Sequence, residues 1–210
     1  DFIAKYVTRE PGSIVVDRQP FNTSIVGPLH RIFPQSKFVM AIRHPLDVCL
    51  SCFMQNFGVN SGTAHFFSLE EGALYYARTM YIWRHFVELL PMDYHIVRYE
   101  DLVVDQEGTT RALLDFLELE WDDAVLRYFE KAREKARENR VRTASYQQVI
   151  QPIYSSAKYR WKRYQKYLEP IMETLAPFIE YFGYDETAAG PADCFPPHQR
   201  RAFSESREPV

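Results

Sequence analysis

The spacing of apolar residues divides the first part of the chain into alternating strands and helices. Short apolar runs at Ser13–Asp17, Lys37–Ile42 and Tyr94–Arg98 are bounded by turn residues and predict three buried strands. Between the first two, apolar residues recur at helical spacing over residues 22–33, and Pro34 ends the pattern. Strands that alternate with helices are typical of βαβ units. The pattern therefore predicts an α/β fold with a parallel sheet and right-handed crossovers.

A capping signal predicts the start of one further helix, and other helices are predicted elsewhere in the chain. Ser68-Leu69-Glu70-Glu71 has the form of a capping box and predicts the start of a long helix that runs to Leu90. Further helices are predicted over residues 46–55, 105–117 and 170–182. The charged sequence after Trp121 also favours helix, so the C-terminal part is expected to be mainly helical.

The composition is that of one folded domain without a membrane-spanning segment. The 210 residues are 46% hydrophobic and 25% charged, and no apolar run approaches the roughly 20 residues of a spanning helix. Residues 1–185 are predicted to form the domain and 186–210 a flexible tail. No signal-peptide pattern occurs, which favours a cytoplasmic location. Because the chain starts at Asp1 without Met, we expect it to be a segment of a longer polypeptide.

Charge and cysteine content narrow the possible chemistry. The net charge of −3 argues against nucleic-acid binding through bulk charge. Cys49 and Cys52 form a C-x-x-C pair and Cys194 stands alone, but none of the six histidines has metal-ligand spacing with them. We therefore expect reduced, structural thiols and no metal, with a thioredoxin-like dithiol as the less favoured alternative.

The ends of the predicted strands carry the candidate binding residues. Parallel sheets bind ligands at the carboxyl ends of their strands, and Arg18, Arg43 and Tyr99 each follow one predicted strand. Ser51 follows Arg43 at helical distance. A guanidinium gives a phosphate bidentate hydrogen bonds, and a helix N-terminus adds partial positive charge, so this pattern predicts an anion site. The alternative is that Arg43 pairs with Asp47 while Ser51 faces solvent.

Five short motifs follow one another along the chain. They are Asp17-Arg18-Gln19-Pro20-Phe21-Asn22, Phe33-Pro34-Gln35-Ser36-Lys37-Phe38, Arg43-His44-Pro45-Leu46-Asp47-Val48-Cys49-Leu50-Ser51, Arg98-Tyr99-Glu100-Asp101-Leu102, and Val141-Arg142-Thr143-Ala144-Ser145 with the segment 148–154. In this order they resemble the sulfotransferases, whose segment R-[DH]-P-x-D-x-x-x-S matches the third motif. The resemblance covers most of residues 13–182, and the last motif resembles the branch of tyrosylprotein sulfotransferases and bacterial tetratricopeptide-repeat sulfotransferases.

The resemblance implies a partial P-loop-NTPase-like sulfotransferase fold, which is a three-layer sandwich around a parallel sheet. It implies 3′-phosphoadenylyl sulfate (PAPS) as co-substrate, with Arg43 and Ser51 on the 3′-phosphate and Tyr99 on the nucleotide. Arg160, where the branch often has Lys, would also bind the donor. Further donor contacts would come from Ser145, Gln148, Val149, Ile150, Gln151, Pro152, Ile153 and Tyr154. The implied catalytic residues are Arg18, where the branch usually has Lys, and Ser145.

The implied reaction is in-line transfer of a sulfuryl group to a hydroxyl or amine of a peptide tyrosine, a carbohydrate or a small metabolite. The family's P-[KR]-S-G-T-T loop for the 5′-phosphosulfate and its usual Glu base are not found in this sequence. The nearest string, Asn60-Ser61-Gly62-Thr63, lies between two predicted helices, and we interpret residues 58–67 as a surface loop. This chain alone is therefore expected to be inactive. A tetratricopeptide-repeat region upstream is an expectation by analogy.

Two other functions stay open. A P-loop kinase or another nucleotide-dependent transferase would have a similar sheet, although the eight glycines never form G-x-x-x-x-G-K-[ST]. A nucleic-acid-binding module would use residues 158–167, where bases alternate with aromatic residues. The acidic charge balance disfavours this second alternative.

Overall fold

The computed structural model describes residues 13–55, 57–60, 62–138 and 157–184, with the backbone only at 134–138. Its α-helices are α1 (Val26–Ile32), α2 (Pro45–Phe53), α3 (Leu69–Leu89), α4 (Tyr99–Val104), α5 (Gln106–Leu117), α6 (Tyr128–Glu138) and α7 (Gln165–Tyr181). The strands are β1 (Phe38–Ile42) and β2 (Tyr94–Arg98). Short 3-10 helices cover Pro20–Ile25, Thr63–Phe67, Asp123–Arg127 and Arg160–Tyr164. The described part of the chain is mostly helical and contains a small parallel sheet.

The sheet lies between helices on both of its faces. β1 and β2 pair in parallel, in a register that runs from Phe38 opposite Tyr94 to Ile42 opposite Arg98. Successive strand residues point to opposite faces. On one face the ring of Tyr94 meets Trp83 of α3 at 5.4 Å, and on the other His95 stacks on Phe116 of α5 at 5.3 Å. This is the layered α/β arrangement that the pattern of strands and helices predicts.

The core lies on the α3 side of the sheet, where α2, α3 and α7 pack together. Its fully buried side chains include Leu46, Ala73, Leu168, Ile171, Leu175 and Phe182. α7 begins at Gln165, five residues before the predicted start at Pro170, so Pro170 and Pro177 lie inside the helix. A proline within a helix costs about 3 kcal/mol. The apolar stripe that α7 buries along its whole length offsets that cost.

The predicted strand at Ser13–Asp17 is wrong. Residues 13–19 are neither helix nor strand, and Ile14, Val15 and Val16 are all exposed. An apolar run becomes a strand only where a neighbouring strand bonds with its N–H and C=O groups, and within the described residues β1 and β2 pair with each other. Arg18 therefore does not follow a strand, which corrects one of the three strand-end positions.

The other predicted elements are confirmed, with small changes at their ends. The strands start at Phe38 and Tyr94, close to where the apolar runs place them. The side chain of Ser68 accepts a hydrogen bond from the backbone N–H of Glu71 and caps α3, as the capping box predicts. The first predicted helix, over residues 22–33, is divided into a 3-10 turn and α1.

Two domain-level predictions lie outside the described residues. Residues 185–210 contain the predicted tail and the domain boundary, and neither is tested by this structure. A search of the described helices finds none with both the length and the apolar character to cross a bilayer.

Candidate functional site

Arg43 and Tyr99 meet at the carboxyl ends of the two strands. β1 ends at Ile42 and β2 at Arg98, and these two residues are partners in the sheet register. The next residue of each strand therefore leaves the sheet at the same edge. The guanidinium carbon of Arg43 lies 5.1 Å from the centroid of the Tyr99 ring, within the range of a cation–π interaction. The expected juxtaposition of these two residues is confirmed.

The guanidinium of Arg43 is largely buried and only partly satisfied. Its Nη2 donates a hydrogen bond to the carbonyl oxygen of Ala157 and lies 3.2 Å from Oδ2 of Asp47. That carboxylate contact is an ion pair, and among the described residues the buried Nε of Arg43 has no hydrogen-bond partner. Pairing with Asp47 was the alternative to an anion site. The structure shows the ion pair of Arg43 with Asp47, and one N–H donor of Arg43 has no acceptor among the described residues.

Asp47 connects Arg43 to the C-terminal segment. Its carboxylate is fully buried, and Oδ1 accepts a 2.8 Å hydrogen bond from the backbone N–H of Trp161. Burial raises the pKa of Asp47, while the charge of Arg43 and the Trp161 N–H act in the opposite direction. One carboxylate thus holds residues from the end of β1 and from the turn before α7.

Tyr159 gives the C-terminal segment its sharp change of direction. Its φ of 51° is in the left-handed region, which is rare for a residue with a side chain and costs about 1–2 kcal/mol. This turn lies between Ala157 and Trp161, the two residues that contact Arg43 and Asp47. Contacts on both sides of the turn stabilise this backbone conformation.

Arg160 lies at the other end of α2. Its Nη2 is 3.8 Å from Sδ of Met54, the residue that caps the helix, and its buried Nε has no hydrogen-bond partner in the described part of the chain. Ser51 is half-buried in the last turn of the same helix. The Arg43 side chain contacts the first turn of α2 through Asp47, whereas the Arg160 side chain contacts Met54 at the end of α2.

His44 lies in an aromatic enclosure behind Arg43. Its ring stacks on Trp161 at 4.9 Å and meets Tyr184 at 5.1 Å and Tyr159 at 5.9 Å. Burial lowers the pKa of His44 to about 4, and the charges of Lys162, Arg43 and Arg98 add to the effect. The imidazole is consequently neutral at pH 7.

Glu100 and Arg98 complete the buried polar cluster. Glu100 accepts hydrogen bonds from the backbone N–H of His44 at 3.0 Å and from the hydroxyl of Tyr184 at 2.8 Å. The guanidinium of Arg98 lies 4.2 Å from the Tyr184 ring and forms an ion pair with Asp101 at 3.7 Å. These contacts attach the chain after α7 to both strand ends.

The loop around Asn60 is folded on itself. Oδ1 of Asn60 accepts hydrogen bonds from the backbone N–H groups of Gly62 and Thr63, at 2.9 and 3.0 Å. The loop follows α2 and leads through a 3-10 turn to α3. Two of its amides are therefore already used, and no strand leads into it, as the interpretation of a surface loop requires.

Among the described site residues, Arg18 is not brought together with Arg43. Arg18 is exposed in the segment before the Pro20–Ile25 turn, and in the described structure no hydrogen bond or ion pair joins it to Arg43 or Tyr99. Ser145 and the donor-covering segment 148–154 lie outside the described residues. Their predicted roles are untested.

The polar cluster around Glu100 has no counterpart among the sequence predictions. Glu100 is part of the fourth motif, but its partners come from residues 44 and 184. A pairing over such distances leaves no local periodicity. The contact between Asp47 and Arg43 could be predicted, because Asp47 lies four residues after Arg43 in the first turn of a helix.

What the site can do chemically follows from its unused donors. Within the described residues, the buried Nε atoms of Arg43 and Arg160 have no acceptor, and a buried unpaired donor is costly unless a ligand or water bonds to it. Guanidinium groups bind phosphate and sulfate oxygens in a planar, bidentate manner. The arrangement fits an anionic ligand next to the Tyr99 ring.

Comparison with known proteins identifies the family. The model of the sulfotransferase family matches residues 2–123, more than half of the chain. The chain belongs to the sulfotransferase family. Its α/β fold with a small parallel sheet and a helical C-terminal part agrees with part of such a domain.

Individual relatives support the same assignment. An uncharacterized protein of Aquifex aeolicus is 36% identical over 176 residues, 83% of this chain and 22% of that protein. The protein-tyrosine sulfotransferase of Drosophila melanogaster is 25% identical over 91% of this chain and 38% of its own length. Protein-tyrosine sulfotransferase 1 of Danio rerio is 26% identical, over 87% and 51%. The chain thus spans from about a fifth to half of the length of these relatives.

Proposed function

We propose that the chain carries the 3′-phosphate half of a PAPS site in an enzyme that transfers a sulfuryl group to a hydroxyl or amine. The observation that carries the proposal is the buried Arg43 guanidinium, which has an unused Nε and lies on the Tyr99 ring. Membership of the sulfotransferase family supports sulfuryl transfer as the reaction class.

The proposed donor contacts are those that the sulfotransferase motifs imply for this chain. Arg43 and Ser51 bind the 3′-phosphate, and Tyr99 contacts the nucleotide. Arg160 supplies a second cation from the far end of α2. Residues 145 and 148–154 follow α6 and precede Arg160 along the chain, and we propose that they cover the donor.

In the proposed reaction the acceptor oxygen or nitrogen attacks the sulfur of PAPS in line with the bond from sulfur to the bridging phosphate oxygen. The new bond to sulfur forms as that bond breaks, and adenosine 3′,5′-bisphosphate leaves with the electron pair. A base takes the proton of the acceptor. The contribution of the protein is to position both substrates and to stabilise the charge that develops on the leaving oxygen. Arg18 is the proposed source of positive charge for this step, with Ser145 near the sulfuryl group.

The acceptor is proposed from chemistry and from the relatives. Two relatives are named protein-tyrosine sulfotransferases, so a peptide tyrosine is the first acceptor to test. Carbohydrates and small metabolites with hydroxyl or amine groups are the other candidates.

The proposal is tested by comparing two nucleotides that differ only in the 3′-phosphate. The chain should bind adenosine 3′,5′-bisphosphate more tightly than adenosine 5′-monophosphate in isothermal titration. Arg43→Ala should remove this difference, because each charge-assisted hydrogen bond contributes about 1.5–3 kcal/mol. Arg111→Ala is a matched control, since Arg111 also lies on an aromatic ring, 3.9 Å from Trp121, but outside the site. Equal losses for both nucleotides in Arg43→Ala would contradict the proposal.

A further inference from the structure

Glu100 is a buried carboxylate at the junction of both strand ends and the end of α7. It is 2% exposed, and each of its oxygens accepts one hydrogen bond. Oε1 accepts from the backbone N–H of His44 and Oε2 from the hydroxyl of Tyr184. We propose that Glu100 is a positioning residue for the donor site: it holds the peptide that follows Arg43 beside Tyr99. This inference rests on the proposed function of Arg43.

The hydrogen bond from the His44 N–H to Glu100 restrains the backbone next to Arg43. The N–H of His44 belongs to the peptide unit that starts at the α-carbon of Arg43, and a peptide unit is planar. The hydrogen bond therefore restrains the orientation of the peptide plane attached to the α-carbon of Arg43. Because Glu100 follows Tyr99 in the chain, the same bond ties the backbone after Arg43 to the backbone of Tyr99.

The bond to Tyr184 fixes Glu100 itself. Tyr184 comes three residues after the end of α7, and its ring packs on His44 and on the guanidinium of Arg98. A buried carboxylate is expensive, and an apolar side chain of similar size is often equally stable or more so. What a carboxylate adds is a fixed direction for two hydrogen bonds, from two segments that are far apart in the sequence.

Two substitutions separate hydrogen bonding from charge. Glu100→Ala removes both hydrogen bonds and the negative charge. Glu100→Gln removes the same charge but keeps an acceptor oxygen for the His44 N–H, and its amide can donate to the Tyr184 hydroxyl. The readout is the ratio of the dissociation constants for adenosine 5′-monophosphate and adenosine 3′,5′-bisphosphate, which reports on contacts to the 3′-phosphate alone.

If Glu100 positions Arg43, Glu100→Ala lowers this ratio by about three- to tenfold, the cost of ordering one flexible side chain on binding. Glu100→Gln should keep most of the wild-type ratio. Leu175→Ala is the control for lost stability, because Leu175 is fully buried in α7 and has no part in the site. It should lower the melting temperature and leave the ratio unchanged. If Glu100→Ala does not fold, Tyr184→Phe replaces it and should lower the ratio by a smaller factor.

The outcomes are distinguishable. An unchanged ratio in Glu100→Ala, or in Tyr184→Phe where it replaces that variant, overturns the role of Glu100. An equal fall in Glu100→Gln and Glu100→Ala also overturns it, since charge rather than hydrogen bonding would be responsible. A wild-type ratio near one overturns the proposed function of Arg43 itself, whatever the Glu100 variants do.

Discussion

The carboxylate of Asp47, four residues after Arg43, lies 3.2 Å from the Arg43 guanidinium, and the two residues join the end of β1 to the C-terminal segment. Asp47 is fully buried, whereas the side chain of Arg43 retains 19% of its exposure. The carboxylate of Asp47 is therefore out of contact with solvent, whereas part of the Arg43 side chain is exposed. The guanidinium is the more exposed group of the pair, so the pair is compatible with the proposed anion site.

Removal of Asp47 should destabilise the fold more than removal of an exposed acid. Asp47→Ala leaves a largely buried guanidinium and the Trp161 N–H without their partner, and removal of one partner of a buried pair costs about 3–5 kcal/mol. Asp47→Asn should cost less, because its amide oxygen still accepts from Trp161. Urea denaturation measures both. Glu88→Ala breaks the exposed Arg84–Glu88 pair and should cost under about 1 kcal/mol. Equal effects of Asp47→Ala and Glu88→Ala would contradict the role of Asp47.

The stability of the fold should fall in mild acid because of His44. Burial and neighbouring cations lower the pKa of His44 to about 4 in the folded chain, against an ordinary value of 6.5. The unfolded chain binds the proton first, so this stability is complete above pH 6.5 and is lost as the pH falls to 4. The full effect is about 3 kcal/mol. Urea unfolding at pH 7.5, 6.0 and 5.0 measures it.

His44→Gln is the control for this pH dependence, because glutamine does not titrate. The variant should be less stable at pH 7.5, and its stability should fall less steeply between pH 6.5 and 4 than that of the wild type. The comparison is needed because burial also lowers the pKa of His95, which contributes a slope of the same sign. Parallel curves for the wild type and His44→Gln would show that His44 does not titrate in this range.

The core on the α3 side should depend on α7. Leu175 is fully buried where α7 packs in the core, and a buried Leu→Ala substitution costs about 2–5 kcal/mol. Tyr167→Ala in the same helix is the control, because 69% of Tyr167 is exposed and its loss should change the stability little. Thermal unfolding of both variants is the measurement. Similar melting temperatures would contradict the placement of α7 in the core.

Residues 1–210 should bind part of the donor without transferring sulfate. The only candidate for a phosphosulfate loop in the described residues, at Asn60, has its Gly62 and Thr63 amides bonded to the Asn60 side chain. Loss of one preorganised hydrogen-bond donor in an active site typically lowers the rate by about a hundred- to a thousandfold. Transfer of radiolabelled sulfate should be absent here and present in a longer form extended upstream. Comparable activity in both, abolished by Asn60→Ala, would place the donor loop at Asn60–Thr63.

Local sequence determined most of the elements and one half of the candidate site. Short apolar runs between turn residues predicted β1 and β2, and the capping box predicted the start of α3. Both signals depend only on residues that are near neighbours in the sequence. The position of Arg43 and Tyr99 at one sheet edge also followed, since parallel strands end at the same side. The family motifs extended this prediction to a nucleotide donor.

Tertiary structure alone decided which apolar runs are buried and which polar groups meet. Ser13–Asp17 has the composition of a strand but has no neighbouring strand within the described structure. α7 contains Pro170 and Pro177 and still forms, because its apolar face is buried. Glu100 contacts residues 44 and 184, and Asp47 contacts residue 161. Such contacts form only when the whole chain has folded, because each depends on the packing of segments that are 50 to 120 residues apart, by rough count. No local pattern contains that information.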